Sequence, residues 1–333
     1  MTQRELPRIR LLMGPGTLPS QGSGRLDFTR YRRSGRPRMT GHELLAALPE
    51  IASIARVEVD AGNPHEVAAL EEVRKLALRV NEVLRLPEVD GVVFIQGTNT
   101  LEETAYFLTL TVRSAKPVVV TGAQRPFTAL SSDAQINLLD AFRVAAAPGT
   151  SGKGVVVVTN GEINAARDVT KTNTYHVHTF RSRDVGLLGY ADADRVVFYR
   201  APTRRHTVNS EFEIESIQSL PRVDILYGWS GAQLGLAAAA VKLGARGLVM
   251  AGIGAGAPGN LTPELAEVAA SGRAVVVRSS RVGEGRVLRN DNWEEPGMVA
   301  ADNLSPQKAA VLLSLALTRT SVAEEIQRFF DEY

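Results

Sequence analysis

The chain has 333 residues, enough for two domains, and its 44% hydrophobic and 22% charged residues are typical of a globular protein with a sizeable core. The formal net charge of +2 gives no indication of a nucleic-acid partner or of an acidic membrane surface. Since the chain contains no cysteine, structural disulfides, thiolate metal ligands and cysteine nucleophiles are excluded.

The beginning of the chain shows no sign of a targeting or membrane segment. The opening MTQRELPR lacks the apolar stretch of a secretory signal. No window approaches the roughly 18 uninterrupted apolar residues that a membrane span needs. We therefore predict a soluble, cytoplasmic protein that contacts no membrane and no nucleic acid.

Short apolar runs rich in valine and isoleucine alternate with longer helical patterns along the chain. The runs predict strands at residues 9–13, 91–95, 117–121, 154–159, 223–227, 247–251 and 274–278. The segments between them predict helices at residues 41–48, 65–84, 101–112 and 134–147. Continuously apolar strands that alternate with helices are typical of an α/β fold with a mostly parallel sheet covered on both faces. Ligands of such sheets bind beyond the carboxyl ends of the strands.

The strand and helix pattern is interrupted by a polar, arginine-rich stretch at residues 192–218 and resumes after Pro221. We therefore predict a larger N-terminal α/β domain at residues 1–205 and a linker at residues 206–221. A smaller C-terminal α/β domain is predicted at residues 222–333.

The segment GVVFIQGTNTLEETAYF, residues 91–107, predicts a buried strand that runs through a glycine turn into a helix. Thr100 and Glu103 have the spacing of a capping box, so the helix should begin at Thr100. This places the Thr98 hydroxyl and the Asn99 amide at a strand end, beside a helix N-terminus that favours negative charge. The alternative is that these residues only cap the helix.

A second polar segment, GEINAARDVTKTNT at residues 161–174, follows the strand predicted at residues 154–159. Lys171, one of only six lysines in the chain, lies there between Thr170 and Thr172. It could act as a general base if its neighbours lower its pKa. The alternative is an ordinary surface lysine.

The first predicted strand is followed by GPGTLPS, residues 14–20. Its glycines permit a close approach of the backbone to a ligand, and Thr17 supplies a hydroxyl. The segment is not a phosphate-binding loop, because the Gly-Lys-Ser/Thr ending is missing. Further on, residues 30–38 contain five arginines and form either a mobile lid or a solvated basic surface.

Two other patterns do not indicate cofactor or metal sites. The glycine-rich segment GIGAGAPG has Pro258 where a dinucleotide-binding helix would start, and it lacks a matching acidic residue. His176 and His178 lie near Asp168, but no further ligands cluster with them in the sequence. We expect neither a metal nor a cofactor.

Taken in order, these segments resemble the bacterial L-asparaginase/glutaminase family. Similar blocks cover nearly the whole chain: GTNTLEETAYFL, KPVVVTGAQRP with SSDAQINLLDA, ARDVTKTNTYHVHTF, VRSSRVGEG and LSPQKAAVLLSLAL. The resemblance implies a two-domain α/β fold and a small-molecule amide substrate. It also implies a homotetramer, built as a pair of intimate dimers, in which two subunits share each active site.

The resemblance further implies a role for each matching residue. Thr17 would be the nucleophile, and Tyr31 the lid tyrosine that activates it. Thr98 would be the second hydroxyl, with Lys171 as its base, and Ala123 would present its backbone carbonyl to the substrate's amide group. A threonine hydroxyl is a weak nucleophile at neutral pH, so an adjacent base must take its proton.

Several positions depart from the family's pattern. The family's His-Gly-Thr-Asp-Thr is QGTNT here, so Asn99 replaces the aspartate that meets the substrate's α-ammonium and neighbours the lysine. The serine that holds the substrate's α-carboxylate corresponds to Gly62, with Asn63 beside it. The glutamate and asparagine that a neighbouring subunit contributes correspond to Asn290 and Ala257. The first loop reads GPGTLP rather than TGGTI.

These departures weaken the recognition of a free amino acid, because an ammonium beside neutral amides gives up charge-assisted hydrogen bonds. The loss of an anionic neighbour should also make Lys171 easier to deprotonate. Three functions stay open. The chain is an amidohydrolase with altered specificity for a side-chain-type carboxamide, a genuine L-asparaginase, or a non-hydrolytic descendant that binds a metabolite or catalyses cyclisation or elimination.

Overall fold

The computed structural model of the protein describes residues 5–62, 64–289 and 298–333. The chain divides into two units, Met1–Ser210 and Glu211–Tyr333. Both units are α/β, as the sequence predicted. That residues 206–221 act as a linker stays a prediction. In the described residues, no helix has the length and apolar character that crossing a membrane requires.

The described part of the first unit contains ten strands, of which eight form one mixed sheet. The strands are β1 (Arg8–Met13), β2 (Arg56–Val59), β3 (Gly91–Ile95), β4 (Val118–Thr121), β5 (Val155–Thr159), β6 (Glu162–Ala165), β7 (Thr170–Lys171), β8 (Phe180–Arg181), β9 (Gly189–Ala191) and β10 (Val196–Phe198). The sheet order is β10-β9-β6-β5-β4-β3-β1-β2, and β7 pairs with β8 in a separate hairpin. Strands β1 to β5 are parallel to one another, whereas β6, β9 and β10 join antiparallel.

The helices of the first unit are α1 (Gly41–Ala47), α2 (Leu70–Arg85), α3 (Leu101–Thr111) and α4 (Ala134–Ala146). The helix predicted from residue 65 begins five residues later. The backbone N–H of His65 donates to the carbonyl of Met13 at 2.7 Å, so this stretch packs against the loop after β1 instead of continuing the helix.

The capping box predicted at Thr100 and Glu103 is wrong. Thr100 directly precedes α3, but its side chain makes no capping hydrogen bond. The Thr100 backbone, with ψ of 17°, is not in the extended conformation from which a capping side chain reaches the first turn. A capping box is present at α1 instead, between Thr40 and Glu43.

Helix α3 and its neighbouring strands form a buried support for the loops at the carboxyl edge of the sheet. Every residue of β3 and of β5 is buried, as are ten of the eleven residues of α3. Burying one large apolar side chain stabilises the fold by about 1.5–3 kcal/mol. The turn between β3 and α3 is therefore anchored at both ends.

The described part of the second unit has a four-stranded parallel sheet in the order β11-β12-β13-β14. Its strands are β11 (Val223–Tyr227), β12 (Gly247–Gly252), β13 (Val275–Ser280) and β14 (Met298–Ala300). Its helices are α5 (Leu236–Lys242), α6 (Thr262–Ala270), α7 (Pro306–Ala316) and α8 (Ala323–Glu332). The seven strands predicted along the whole chain are present, with ends that differ by at most two residues.

Candidate active site

Three polar loops leave the first sheet at the same edge. Strands β1, β3 and β4 are parallel and adjacent, so the loops that follow them meet at their carboxyl ends. Thr17 lies in the loop after β1, Thr98 in the turn after β3, and Ala123 directly after β4. The topology thus brings together residues that are more than 100 positions apart.

The loops after β1 and β3 are tied together through their backbones. Gly14 N donates to the carbonyl of Ile95, and Gly97 N donates to the carbonyl of Pro15, each at 2.7 Å. A Cβ atom on Gly16 would lie 2.5 Å from Gly97 N, so this approach requires glycine. The two loops therefore hold Thr17 and Thr98 on one connected support.

Thr17 is paired with Tyr31. The Thr17 Oγ1 and Tyr31 Oη atoms lie 2.8 Å apart, within hydrogen-bond distance. Thr17 is buried, and Tyr31 begins a short 3-10 helix, Tyr31–Arg33. The structure thus places the predicted lid tyrosine against the predicted nucleophile.

Thr98 is paired with Lys171. The Lys171 Nζ donates to Thr98 Oγ1 at 2.7 Å. Burial lowers the pKa of Lys171, and the negative charge of Glu102 opposes this effect. A lysine that contacts a hydroxyl and has a lowered pKa has the properties of a general base.

Glu102, which the sequence reasoning did not single out, fixes the strand that carries Lys171. It is buried in the first turn of α3, where the helix dipole favours a carboxylate. Its oxygens accept hydrogen bonds from Thr170 Oγ1 at 2.8 and 3.0 Å and from the backbone N–H of Lys171. Asn99 therefore does not leave the lysine without a neighbouring anion, because Glu102 supplies one.

Gln124 is the second residue that the sequence reasoning missed. Thr98 Oγ1 donates to Gln124 Oε1 at 3.0 Å. The signal for it was its position directly after Ala123, at the carboxyl end of β4. A polar side chain at that edge of a parallel sheet is a candidate for the site.

The predicted substrate-binding positions have different surroundings. Ala123 is buried, whereas Asn99 is exposed and makes no hydrogen bond to any part of the chain that the structure describes. Gly62 has a φ of 113°, a backbone conformation that disfavours any side chain. Asn63 and Asn290 lie outside the described residues. Ala257, in the second unit, forms an isolated bridge with Ile253.

The structure shows no cluster of three or more His, Cys, Asp or Glu side chains suited to a metal ion within residues 5–62, 64–289 and 298–333. His178 is paired instead with Glu162, its Nε2 lying 2.9 Å from Glu162 Oε1. The expectation of a metal-free site stays a prediction.

Comparison with known proteins gives the family. A model of the asparaginase N-terminal domain matches residues 8–204, and a model of the glutaminase/asparaginase C-terminal domain matches residues 222–330. L-asparaginase 2 of Bacillus subtilis is 42% identical over 99% of this chain and 88% of its own length. A probable periplasmic L-asparaginase of Haemophilus influenzae is 40% identical over 99% and 94%.

A solved structure, of a probable cytoplasmic L-asparaginase from Campylobacter jejuni, has a TM-score of 0.88 and 38% identity, and the match covers 98% of this chain and 100% of that one. The fold and these matches define an amidohydrolase that acts on linear amides. The chain belongs to the asparaginase family. The predicted cytoplasmic location stays a prediction, since relatives carry both locations in their names.

Proposed function

We propose that this amidohydrolase uses Thr17 as its nucleophile and Lys171 as a base on a linear carboxamide that lacks a free α-ammonium group. The observation that carries the proposal is the 2.7 Å hydrogen bond between Lys171 Nζ and Thr98 Oγ1, made by a lysine whose pKa burial lowers. Groups whose pKa is shifted by burial cluster at functional sites, and a lysine held in this way can move a proton.

In the proposed reaction, Thr17 Oγ1 attacks the carboxamide carbon and passes its proton to Tyr31 Oη, while the phenol hydrogen of Tyr31 moves on to the amide nitrogen. The backbone N–H groups of Thr98 and Asn99, which have no acceptor among the described residues, are available to the oxyanion. Collapse of the tetrahedral intermediate breaks the C–N bond, ammonia departs, and Thr17 is left as an ester of the acyl group. Water then attacks the ester, giving up a proton through Thr98 to Lys171. As the C–O bond to Thr17 breaks, the protonated Lys171 supplies the proton that restores the Thr17 hydroxyl, and the carboxylic acid product is released.

The charge around the site supports a substrate without an ammonium group. Asn99 offers no negative charge to an ammonium group. The backbone conformation at Gly62 would strain a serine, so a single substitution at Gly62 does not restore the family's binding site for the substrate's α-carboxylate. The substrate is therefore held mainly by groups other than those that grip the backbone of a free amino acid.

The loop around Tyr31 adds positive charge at the same place. Between Gly22 and His42 the chain has six arginines and one aspartate, a net charge of +5, whereas the whole chain carries only +2. All six arginines are exposed. The remainder of the chain therefore has a net charge of −3, so the positive charge is concentrated in the loop around Tyr31. A substrate that keeps a carboxylate and lacks an ammonium group suits this distribution.

The names of the relatives favour a second candidate, an ordinary L-asparaginase. The Bacillus protein, 42% identical over nearly the whole chain, carries that name. In this case the exposed Asn99 side chain would have to hold the α-ammonium through its amide oxygen alone, a neutral hydrogen bond about half as strong as one to a carboxylate.

Ammonia release from three amides tests the proposed function. We expect the protein to hydrolyse N-acetyl-L-asparagine and succinamic acid, which have a carboxylate and no ammonium, in preference to L-asparagine. Efficient hydrolysis of L-asparagine would support the second candidate. Release of ammonia from none of the three would favour a non-hydrolytic descendant.

We also propose that the protein is a homotetramer, built as a pair of intimate dimers that share active sites. Four large apolar side chains of the second unit are exposed within ten positions: Tyr227, Trp229, Leu234 and Leu236. Solvent-exposed apolar surface of this kind is typical of an interface between subunits.

Light scattering at micromolar concentration should give a mass of four 35.9 kDa chains. Trp229→Ser combined with Leu234→Ser should shift the protein towards smaller assemblies. Lys242→Ser, at the exposed last residue of α5, serves as the control. A native protein that is monomeric at this concentration would contradict the shared-site proposal.

A further inference from the structure

A chain of hydrogen bonds runs from Lys171 through Thr98 to Gln124. Lys171 Nζ donates to Thr98 Oγ1 at 2.7 Å, and Thr98 Oγ1 donates to Gln124 Oε1 at 3.0 Å. On its other side, Gln124 Nε2 faces the backbone carbonyls of His176 at 3.3 Å and Asn173 at 3.5 Å. The side chain thus joins the loop after β4 to the segment that follows Lys171.

The direction of each hydrogen bond follows from the groups involved. Backbone carbonyls can only accept, so the NH2 group of Gln124 must face them and its oxygen must face Thr98. An ammonium can only donate, so Thr98 Oγ1 accepts from Lys171. The single hydroxyl hydrogen of Thr98 is then directed at Gln124 and away from the lysine.

This arrangement favours the charged form of Lys171. For the neutral amine to take a proton from Thr98, the hydroxyl must turn towards Nζ, and Gln124 Oε1 then loses its donor. Leaving a half-buried amide oxygen without a partner costs free energy. Gln124 therefore opposes the step that turns Lys171 into a base.

The backbone that carries Gln124 is fixed by hydrogen bonds. Its backbone N–H donates to Asp133 Oδ2, and the N–H of Arg125 donates to Asp133 Oδ1, both at 2.9 Å. Asp133 is itself buried and accepts from Asn137 Nδ2 at 3.2 Å. The loop after β4 thus holds the Gln124 backbone in one position.

We propose that Gln124 is a positioning residue of this enzyme: it holds the Thr98 hydroxyl hydrogen away from Lys171 and so controls when Lys171 can accept a proton. The inference rests on the proposed role of Lys171 as a base. A positioning role and a merely structural role of Gln124 differ in the direction in which substitutions of Gln124 shift the pKa of Lys171.

The elements that carry this chain of hydrogen bonds hold other charged and titratable groups, which the variants described next leave unsubstituted. They come from α3, from the loop after β4, and from the segment around β7 and β8: Glu102, Arg125, Asp133, Asp168, His176 and Arg181. Each variant therefore changes the Gln124 side chain and substitutes none of these charged residues.

Two variants of Gln124 should move the pKa of Lys171 in opposite directions. Gln124→Met removes the acceptor, so the hydroxyl can turn to the amine, and the pKa should fall by about half a unit to one unit, the equivalent of one neutral hydrogen bond. Gln124→Glu keeps an acceptor and adds a negative charge, so the pKa should rise by about one unit or more. Gln135→Met is the matched control, because Gln135 is exposed on α4.

The experiment uses the full chain labelled with 13C-lysine and needs no substrate. The chain has six lysines, and the Lys171 signal is the one lost in Lys171→Met. Titration of the Cε shift then gives the pKa of Lys171 in each variant. Opposite shifts in the two Gln124 variants, with no shift in Gln135→Met, are the expected result.

Two results would overturn the inference. If Gln124 were only a packing residue, both variants would loosen the site, admit water to Lys171 and raise its pKa towards the ordinary value. No shift in either variant would also refute it. Neither outcome contradicts the proposed function. The proposed function is contradicted by a different result, full hydrolytic activity of Lys171→Met.

Discussion

Replacing Lys171 with methionine should lower kcat by at least about 10²-fold, the usual scale for losing a positioned base. Methionine keeps a similar length and apolar stem but has no amine to take the Thr98 proton. Thr98→Val, which keeps the shape and removes the hydroxyl, should have an effect of similar size. Ammonia release from N-acetyl-L-asparagine measures both.

The pH dependence of the native protein should show the same base. Lys171 must be neutral to accept a proton, so kcat should rise with pH through the pKa of Lys171, which burial holds below its ordinary value. This rise should disappear in Lys171→Met. Lys75→Met is the matched control, since Lys75 lies on the surface and pairs with Glu72, a contact that contributes little.

The melting temperatures of these variants separate chemistry from folding. Lys171→Met should melt close to the native protein, since removing a half-buried ammonium relieves its desolvation. Full turnover in both Lys171→Met and Thr98→Val would remove the pair from the mechanism. If a variant loses activity only because less of it is folded, that loss does not support a catalytic role for the pair.

The parallel core strands could be predicted from the sequence because they are continuous apolar runs. Strand β3 is the plainest example, since all five of its residues are buried. Strand β2 was missed, because Arg56 and Glu58 alternate with valines at the edge of the sheet and leave no apolar run. Strands β6 to β10 were missed because each has at most four residues.

The candidate site could be predicted where a polar residue follows a strand end. Thr17 and Thr98 have that signature, and the structure places both in loops at the carboxyl edge of the sheet. Gln124 also follows a strand end, but its contact with Thr98, 26 positions away, could not be read from the sequence. Glu102 lies inside a helix and has no such signature, and its contact with Lys171 spans 69 positions. Their roles depend on which loops the sheet order makes neighbours.

Asn99→Asp should improve the binding of L-asparagine and slow the reaction with N-acetyl-L-asparagine. A carboxylate at this position gives an α-ammonium a charge-assisted hydrogen bond, which we expect to improve binding of L-asparagine about tenfold. The same charge joins Glu102 beside Lys171 and raises the pKa of the lysine, so less neutral amine is present at pH 7. The reaction with N-acetyl-L-asparagine should therefore become about tenfold slower.

The gain with L-asparagine should stay limited, because the glycine conformation at Gly62 is unchanged. Gln135→Glu makes the same neutral-to-anionic change at an exposed position of α4 and is the control for overall charge. If the two variants change the binding of L-asparagine equally, the charge introduced by Asn99→Asp does not act on the substrate in the pocket.

The most direct test of the proposed function is kcat/KM of the native protein for L-asparagine, compared with kcat/KM for N-acetyl-L-asparagine under the same conditions. Because the pocket has no carboxylate at Asn99, we expect a value for L-asparagine well below about 10⁴ M⁻¹s⁻¹, the lower end for specific enzymes, and a higher value for the N-acetylated amide. A value for L-asparagine of about 10⁴ M⁻¹s⁻¹ or above would contradict the altered pocket and make the protein an ordinary L-asparaginase.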